Sequence, residues 1–363
     1  MAMSAVRLVH VVHVVHVVHV VRVCYEILRL SVLLSLLLMG VASAESRRAP
    51  APSVEDLLRP LQRAHQSVLG VRSVAIEDAP SVASLGARRE GSGVVIGSDG
   101  LVVTIGYLVL EAQEVELIDA QERRWPARVV AYDVATGLAL LKPLIPMQKP
   151  AVPLGRSLDH PEEEPMMMVS GGPDGEVGWT ELIARRSYSG SWEYHIEGAL
   201  YAAPARTDHS GAGLFNHAGE LLGIGSLVVP HVGNQTRPRQ NVNVFVPVDL
   251  LRASLQDMRE QGRSAASHRA WLGMHCTETV TGLRVIRIND DSPADVAGLL
   301  AGDRVERIDG QPVRALGDLW QALWRGGPAE RTVVLDIVRD GERMSVPVFT
   351  VDRMKVLKRP EGV

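Results

Sequence analysis

The residues best placed to do chemistry are Thr207-Asp208-His209-Ser210-Gly211-Ala212-Gly213-Leu214. A serine held in a glycine-flanked bend exposes its hydroxyl and turns successive backbone N–H groups toward one point, which is how a nucleophilic serine and its oxyanion hole are built. Glycine-flanked serines also occur in ordinary loops, so the surrounding elements decide what this one means. Directly behind it, Asn216-His217-Ala218-Gly219 reads as a turn and Glu220-Leu221-Leu222-Gly223-Ile224 as an apolar strand. Two other patterns suggest metal chemistry. His10, His13, His16 and His19 recur every third residue, and Met166-Met167-Met168 offers soft sulfur. The first is read as low-complexity sequence and the second as a buried strand, so no cofactor and no metal site is expected.

The elements around Ser210 are mainly β. Gly91-Ser92-Gly93-Val94-Val95-Ile96, the Asp99-Gly100 turn and Leu101-Val102-Val103-Thr104 form a hairpin, and short strands follow over 115–118, 127–132 and 138–141. Two more are expected in 176–200 and another over 242–247, a spacing that indicates a barrel or sandwich. A helix is expected over 53–65, and a second from Asp249 to about Glu260, closed by Gly262. Residues 263–268 read as a polar interdomain linker. Beyond them, Ser292-Pro293-Ala294 starts a capped short helix ending at Gly298. Leu316, Leu319, Trp320, Leu323 and Trp324 form one face of a longer helix, and strands over 304–308, 332–338 and 344–349 complete a separate α+β module.

The 363-residue chain is 46% hydrophobic and carries a net charge of −4, which gives ample core and no basic footprint for nucleic acid. Arg29, the apolar run 30–39 and Ala42-Ser43-Ala44 form a secretory signal pattern, so residues 1–44 are expected to be removed on export. If they are retained, they form a membrane anchor. Cys24 falls in that segment, leaving Cys276 as the one thiol of the mature chain and no internal disulfide.

Taken together, Gly91 to Ile96, Asp99 to Thr104, Thr136-Gly137-Leu138-Ala139-Leu140-Leu141, His209 to Leu214, and Ser292-Pro293-Ala294 through Ala297-Gly298-Leu299 to Gly302-Asp303 resemble the HtrA (Deg) family. Its members are exported trypsin-like serine proteases carrying a C-terminal PDZ domain, and the resemblance covers residues 54–349. It implies a trypsin-like double β-barrel over 53–250, a linker helix over 251–267, a PDZ domain over 268–352 and a tail over 353–363, after a linker at 45–52. The family's general-base histidine follows the Val-Val-Thr strand, and Tyr107 stands at that position. Its orienting aspartate position holds Gly137. Its nucleophile is retained as Ser210, but the oxyanion-hole stretch Asp208-His209-Ser210 has a carboxylate where the family has glycine, and that charge is expected to oppose a developing oxyanion. His209 is read as a solvent-facing loop residue, and His217 and Asp133 as turn residues. Leu272-Gly273-Met274 matches the family's carboxylate-binding loop.

The resulting expectation is an exported, periplasmic pseudoprotease that binds unfolded or C-terminal peptides in protein quality control. The alternative is an active serine endopeptidase with a rearranged catalytic set. Self-association, or association with active HtrA-type proteases, is the further partner expectation.

Overall fold

Short valine- and leucine-rich runs between glycine turns leave no free edge if their sheet closes on itself. In the computed structural model, which describes residues 54–162, 164–231 and 239–359, this closure happens twice. β1 (Val68–Ala75), β2 (Arg88–Val95), β3 (Val102–Ile105), β4 (Ala112–Ile118), β5 (Arg124–Asp133) and β6 (Leu138–Pro143) form an antiparallel barrel in the order β1-β2-β3-β6-β5-β4. β7 (Met166–Val169), β8 (Val177–Ser189), β9 (His195–Ala203), β10 (Gly213–Phe215), β11 (Leu221–His231) and β12 (Gln240–Pro247) form the second, ordered β10-β11-β12-β9-β8-β7. Met166, Met167 and Met168 lie inside it as a buried strand. Trp179 and Trp192, by contrast, are surface residues.

α1 (Val54–Gln66) leads into the first barrel, and α2 (Val82–Leu85) is a single turn between β1 and β2. α3 (Val248–Gln261) leaves the second barrel and stops at Gly262, whose left-handed φ of 75° ends the helix as expected.

The C-terminal region has its own core. β14 (Met274–Thr279), β15 (Gly282–Ile288), β16 (Arg304–Ile308), β18 (Thr332–Arg339) and β19 (Glu342–Phe349) form a sheet in that order, with β17 (Gln311–Pro312) on β16. α4 (Pro293–Val296) is capped by the Ser292 hydroxyl, which accepts from Asp295 N–H, and α5 (Leu316–Arg325) buries Leu319, Trp320 and Leu323. β13 (Ala270–Trp271) pairs with β20 (Val351–Asp352), a two-residue ribbon too short to leave a sequence pattern.

Two connections expected to be loose are held. Asp133, read as a turn residue, is fully buried. It accepts from Thr136 N–H and Oγ1 in its own turn and from the hydroxyls of Ser264 and Ser267 in the segment read as a linker. Residues 353–359 also fold back. Arg353 stacks on Trp271 with its guanidinium 4.6 Å from the ring centroid, Met354 is buried, and Lys358 N–H donates to Glu111 at 2.8 Å. The expected signal segment 1–44 with its histidine repeat, the linker 45–52 and Ser53 lie outside the described residues. Among the described residues, no helix is long and apolar enough to cross a membrane.

Candidate functional site

Ser210 lies where the two barrels meet. Its carbonyl accepts from Ser92 N–H of β2 at 2.8 Å, and Gly211 N–H donates to the Gly225 carbonyl of β11 at 2.8 Å. Gly211 has a φ of 74°, and a Cβ there would lie 1.9 Å from the Ser92 carbonyl oxygen, so only glycine allows the bend to sit this close to β2.

Tyr107, in the turn after β3, reaches Ser210. Its Oη is 2.8 Å from Ser210 Oγ and 2.8 Å from the Ser226 carbonyl oxygen on β11. A carbonyl can only accept, so the single phenolic proton points to Ser226 and the Ser210 hydroxyl donates to Tyr107. Among the described residues, no other side chain is hydrogen-bonded to Ser210 Oγ. Burial pushes the Tyr107 phenol up to about 12, only partly opposed by the bond from Ser210. His209 turns away from the serine: its Nδ1 donates to the carbonyl oxygens of Arg206 and Thr207, each 3.1 Å away, and burial lowers its pKa. His217 pairs with Glu164 beyond the Asn216 turn.

Asp208 differs from the expectation that its charge would oppose an oxyanion. Its carboxylate is gripped by Arg206, with Nε to Oδ1 at 3.0 Å and Nη2 to Oδ2 at 2.7 Å, and it accepts from Ser170 Oγ at 2.5 Å. Burial works to raise the Asp208 carboxyl, but Arg206 and Ser170 outweigh it and hold it below the usual carboxylate range. The negative charge is therefore neutralised beside the bend. Asn243 fixes the backbone of Arg206 from both sides, accepting from its N–H at 2.8 Å and donating to its carbonyl at 2.9 Å.

Gly137, expected at the orienting position, has no room for a side chain. It has a φ of 72°, and a Cβ there would meet Tyr194 Cε2 at 2.9 Å. The ring of Tyr194, buried at the start of the hairpin return from β8 to β9, fills the space beside it, and its hydroxyl donates to the Thr136 carbonyl at 3.1 Å.

At the other candidate site, the N–H groups of Leu272, Gly273 and Met274 converge on one oxygen, Glu193 Oε1, at 3.1, 2.8 and 3.3 Å. Burial raises the Glu193 carboxyl against the pull of its own backbone N–H, of Arg353 and of the Gly273 and Leu272 N–H groups. Nothing in the local sequence links residue 193 to residue 273 or residue 194 to residue 137, so the roles of Glu193 and Tyr194 are not legible there; Arg206, two residues before Asp208, is the one partner that spacing could have offered. The buried Cys276 thiol is pushed up by burial and is inert.

Residues 91–224 match the family described as a trypsin-like peptidase domain, and residues 270–350 match the PDZ domain. A protein of Pseudomonas fluorescens named a probable periplasmic serine endoprotease DegP-like is 28% identical over 280 residues, covering 72% of this chain and 56% of that protein. A trypsin-like domain followed by a PDZ domain, with such relatives, supports an HtrA family protein. A protein of the same description from Hahella chejuensis is 26% identical over 276 residues, with 72% and 57% covered, so the chain spans about half the length of the curated relatives it matches. Two solved structures share the fold. The HtrA-type protease AlgW with decapeptide has a TM-score of 0.51 at 21% identity, covering 82% of this chain and 98% of that one. The same protease with tripeptide has a TM-score of 0.51 at 21% identity, covering 86% and 99%.

Proposed function

We propose that this chain is an exported, catalytically inactive HtrA-like protein that binds the ends of extended or unfolded peptides through its PDZ domain. The observation that carries the inactive reading is the pairing of Ser210 Oγ with Tyr107 Oη at 2.8 Å. A general base must take the serine proton during attack. A neutral phenol already donating to Ser226 cannot do so, and with a pKa of about 12 it is ionised at pH 7 in roughly one molecule in 100,000. Loss of the base in such triads costs on the order of a millionfold in turnover. Binding is the function that remains, and the converging N–H groups of Leu272, Gly273 and Met274 have the geometry that captures a carboxylate. Periplasmic location is supported by the names of the relatives, and the quality-control role by the family.

Two measurements test this. Wild-type protein is expected to leave unfolded casein intact and to resist a fluorophosphonate probe; rapid labelling that disappears in Ser210→Ala would establish a working endopeptidase with a rearranged catalytic set. Peptides with a free C-terminus are expected to bind, and their amidated counterparts not to. Equal affinity for both would remove Leu272, Gly273 and Met274 from the role of carboxylate loop.

A further inference from the structure

A peptide captured by sheet addition needs three things: an open strand edge, converging N–H groups for its terminal carboxylate, and a wall opposite the edge. In this chain all three are already engaged from within. β14 pairs with β15 along one edge only, and on its open edge Cys276 N–H donates to the Ser191 carbonyl at 2.6 Å. Opposite, on α5, Trp320 Nε1–H donates to the Gly190 carbonyl at 2.9 Å, and one residue on, Gln321 Nε2 is 2.9 Å from His195 Nε2 at the base of the same hairpin. At the closed end, Leu272, Gly273 and Met274 all donate to Glu193 Oε1. The tip joining β8 to β9 therefore lies between β14 and α5, with a side-chain carboxylate where a peptide's α-carboxylate would end.

The tip is built to present that group. Gly190 N–H donates to the Tyr194 carbonyl at 2.9 Å, Tyr194 N–H donates to the Trp192 carbonyl at 2.6 Å, and the Trp192 ring stacks on Tyr194 at 5.8 Å with the planes 12° apart. A turn already ordered in this way loses little conformational freedom on docking, so its few hydrogen bonds count for more than the same bonds from a free peptide.

We propose that the β8–β9 tip is a built-in ligand of the peptide groove, with Glu193 standing in for a C-terminal carboxylate, so that outside peptides enter by displacing it. The proposal rests on the reading of Leu272, Gly273 and Met274 as a carboxylate loop. Its consequence is that apparent peptide affinity equals intrinsic affinity reduced by the fraction of molecules whose groove is open. Weak ends are refused, and only tight or locally concentrated ones gain access.

Hydrogen exchange and peptide binding on the full chain test it together. In wild type, the amides of Leu272, Gly273 and Met274 are expected to exchange slowly. In Glu193→Ala they should exchange at least tenfold faster while amides of β15 and β18 keep their rates, which also confirms the fold. Glu193→Gln keeps an acceptor oxygen without the charge and should fall between. The peptide probe is a labelled Ser-Gly-Ser-Trp-Val-Leu with free carboxylate, its apolar end suited to the buried Leu272, Met274 and Leu323. It should bind Glu193→Ala at least tenfold more tightly than wild type, and its amide should not gain. Unchanged protection in Glu193→Ala, or equal peptide affinity for variant and wild type, would overturn the built-in ligand. If protection is lost but neither peptide binds the variant, the hairpin's occupancy of the groove stands and it is the peptide-capture reading that fails.

Discussion

On the proposed reading, Ser210 keeps its bend without its chemistry, because the group facing it can hold the serine proton in a hydrogen bond but cannot remove it. Tyr107 is therefore better understood as a strut between the barrels. Tyr107→Phe should lower stability by about 1–3 kcal/mol, because the Ser226 carbonyl and the Ser210 hydroxyl both lose a partner in a partly buried site. Urea unfolding measures this, and an unchanged midpoint would show that water replaces the phenol without cost. Asp208 makes a second residue-level prediction. Its folded pKa is depressed, so the stability it contributes is present above its unfolded value of about 3.9 and is lost as the pH falls through the folded value. Asp208→Asn should therefore be less stable than wild type at pH 7, with the gap closing as the pH falls below the ordinary carboxylate range. A gap that persists there would mean the loss is one of geometry and not of charge.

The β8–β9 hairpin decides more than any single residue. On one side its tip places Glu193 on the N–H groups of Leu272, Gly273 and Met274, while on the other Tyr194 packs against Gly137, where an orienting carboxylate is expected from the family resemblance. Restoring the missing groups is then harder than their identities suggest. Tyr107→His with Gly137→Asp should give no measurable casein cleavage, and Gly137→Asp alone should lower the urea midpoint, because a side chain at a φ of 72° would need the Tyr194 ring to move. Substantial turnover from the pair would show that the ring gives way easily. The connection between barrel and C-terminal sheet behaves as an element too. Asp133 is fully buried with four donors on it, two of them from Ser264 and Ser267. Removing both hydroxyls should cost about 1–3 kcal/mol and speed proteolytic cutting between 262 and 269.

Across the whole molecule, the C-terminal region has a core of its own, yet its last turn lies outside the limits read from sequence. Residues 353–359 place Arg353 on Trp271 and bury Met354. A fragment spanning 268–359 is therefore expected to melt at least about 4 °C above one ending at 352, since burying one methionine and one stacked guanidinium is worth on the order of 1 kcal/mol or more. Equal melting temperatures would make the turn an ornament of the full chain.

Most of the fold was legible because it is local. Glycine turns, β-branched runs and the three-and-four spacing of Leu316, Leu319, Trp320 and Leu323 state their own secondary structure, and together with the Ser210 and Ser292 stretches they were enough for the family. The absence of histidine at 107 and of aspartate at 137 is likewise a fact of sequence. What only the tertiary structure decided is where side chains meet across long separations: Ser170 reaching Asp208, Tyr194 closing the space beside Gly137, and Glu193 reaching the N–H groups of Leu272, Gly273 and Met274. A charge's effect depends on what surrounds it and a pocket's availability on what fills it, and both are set by distances of a few ångströms between residues that the linear pattern keeps tens of positions apart.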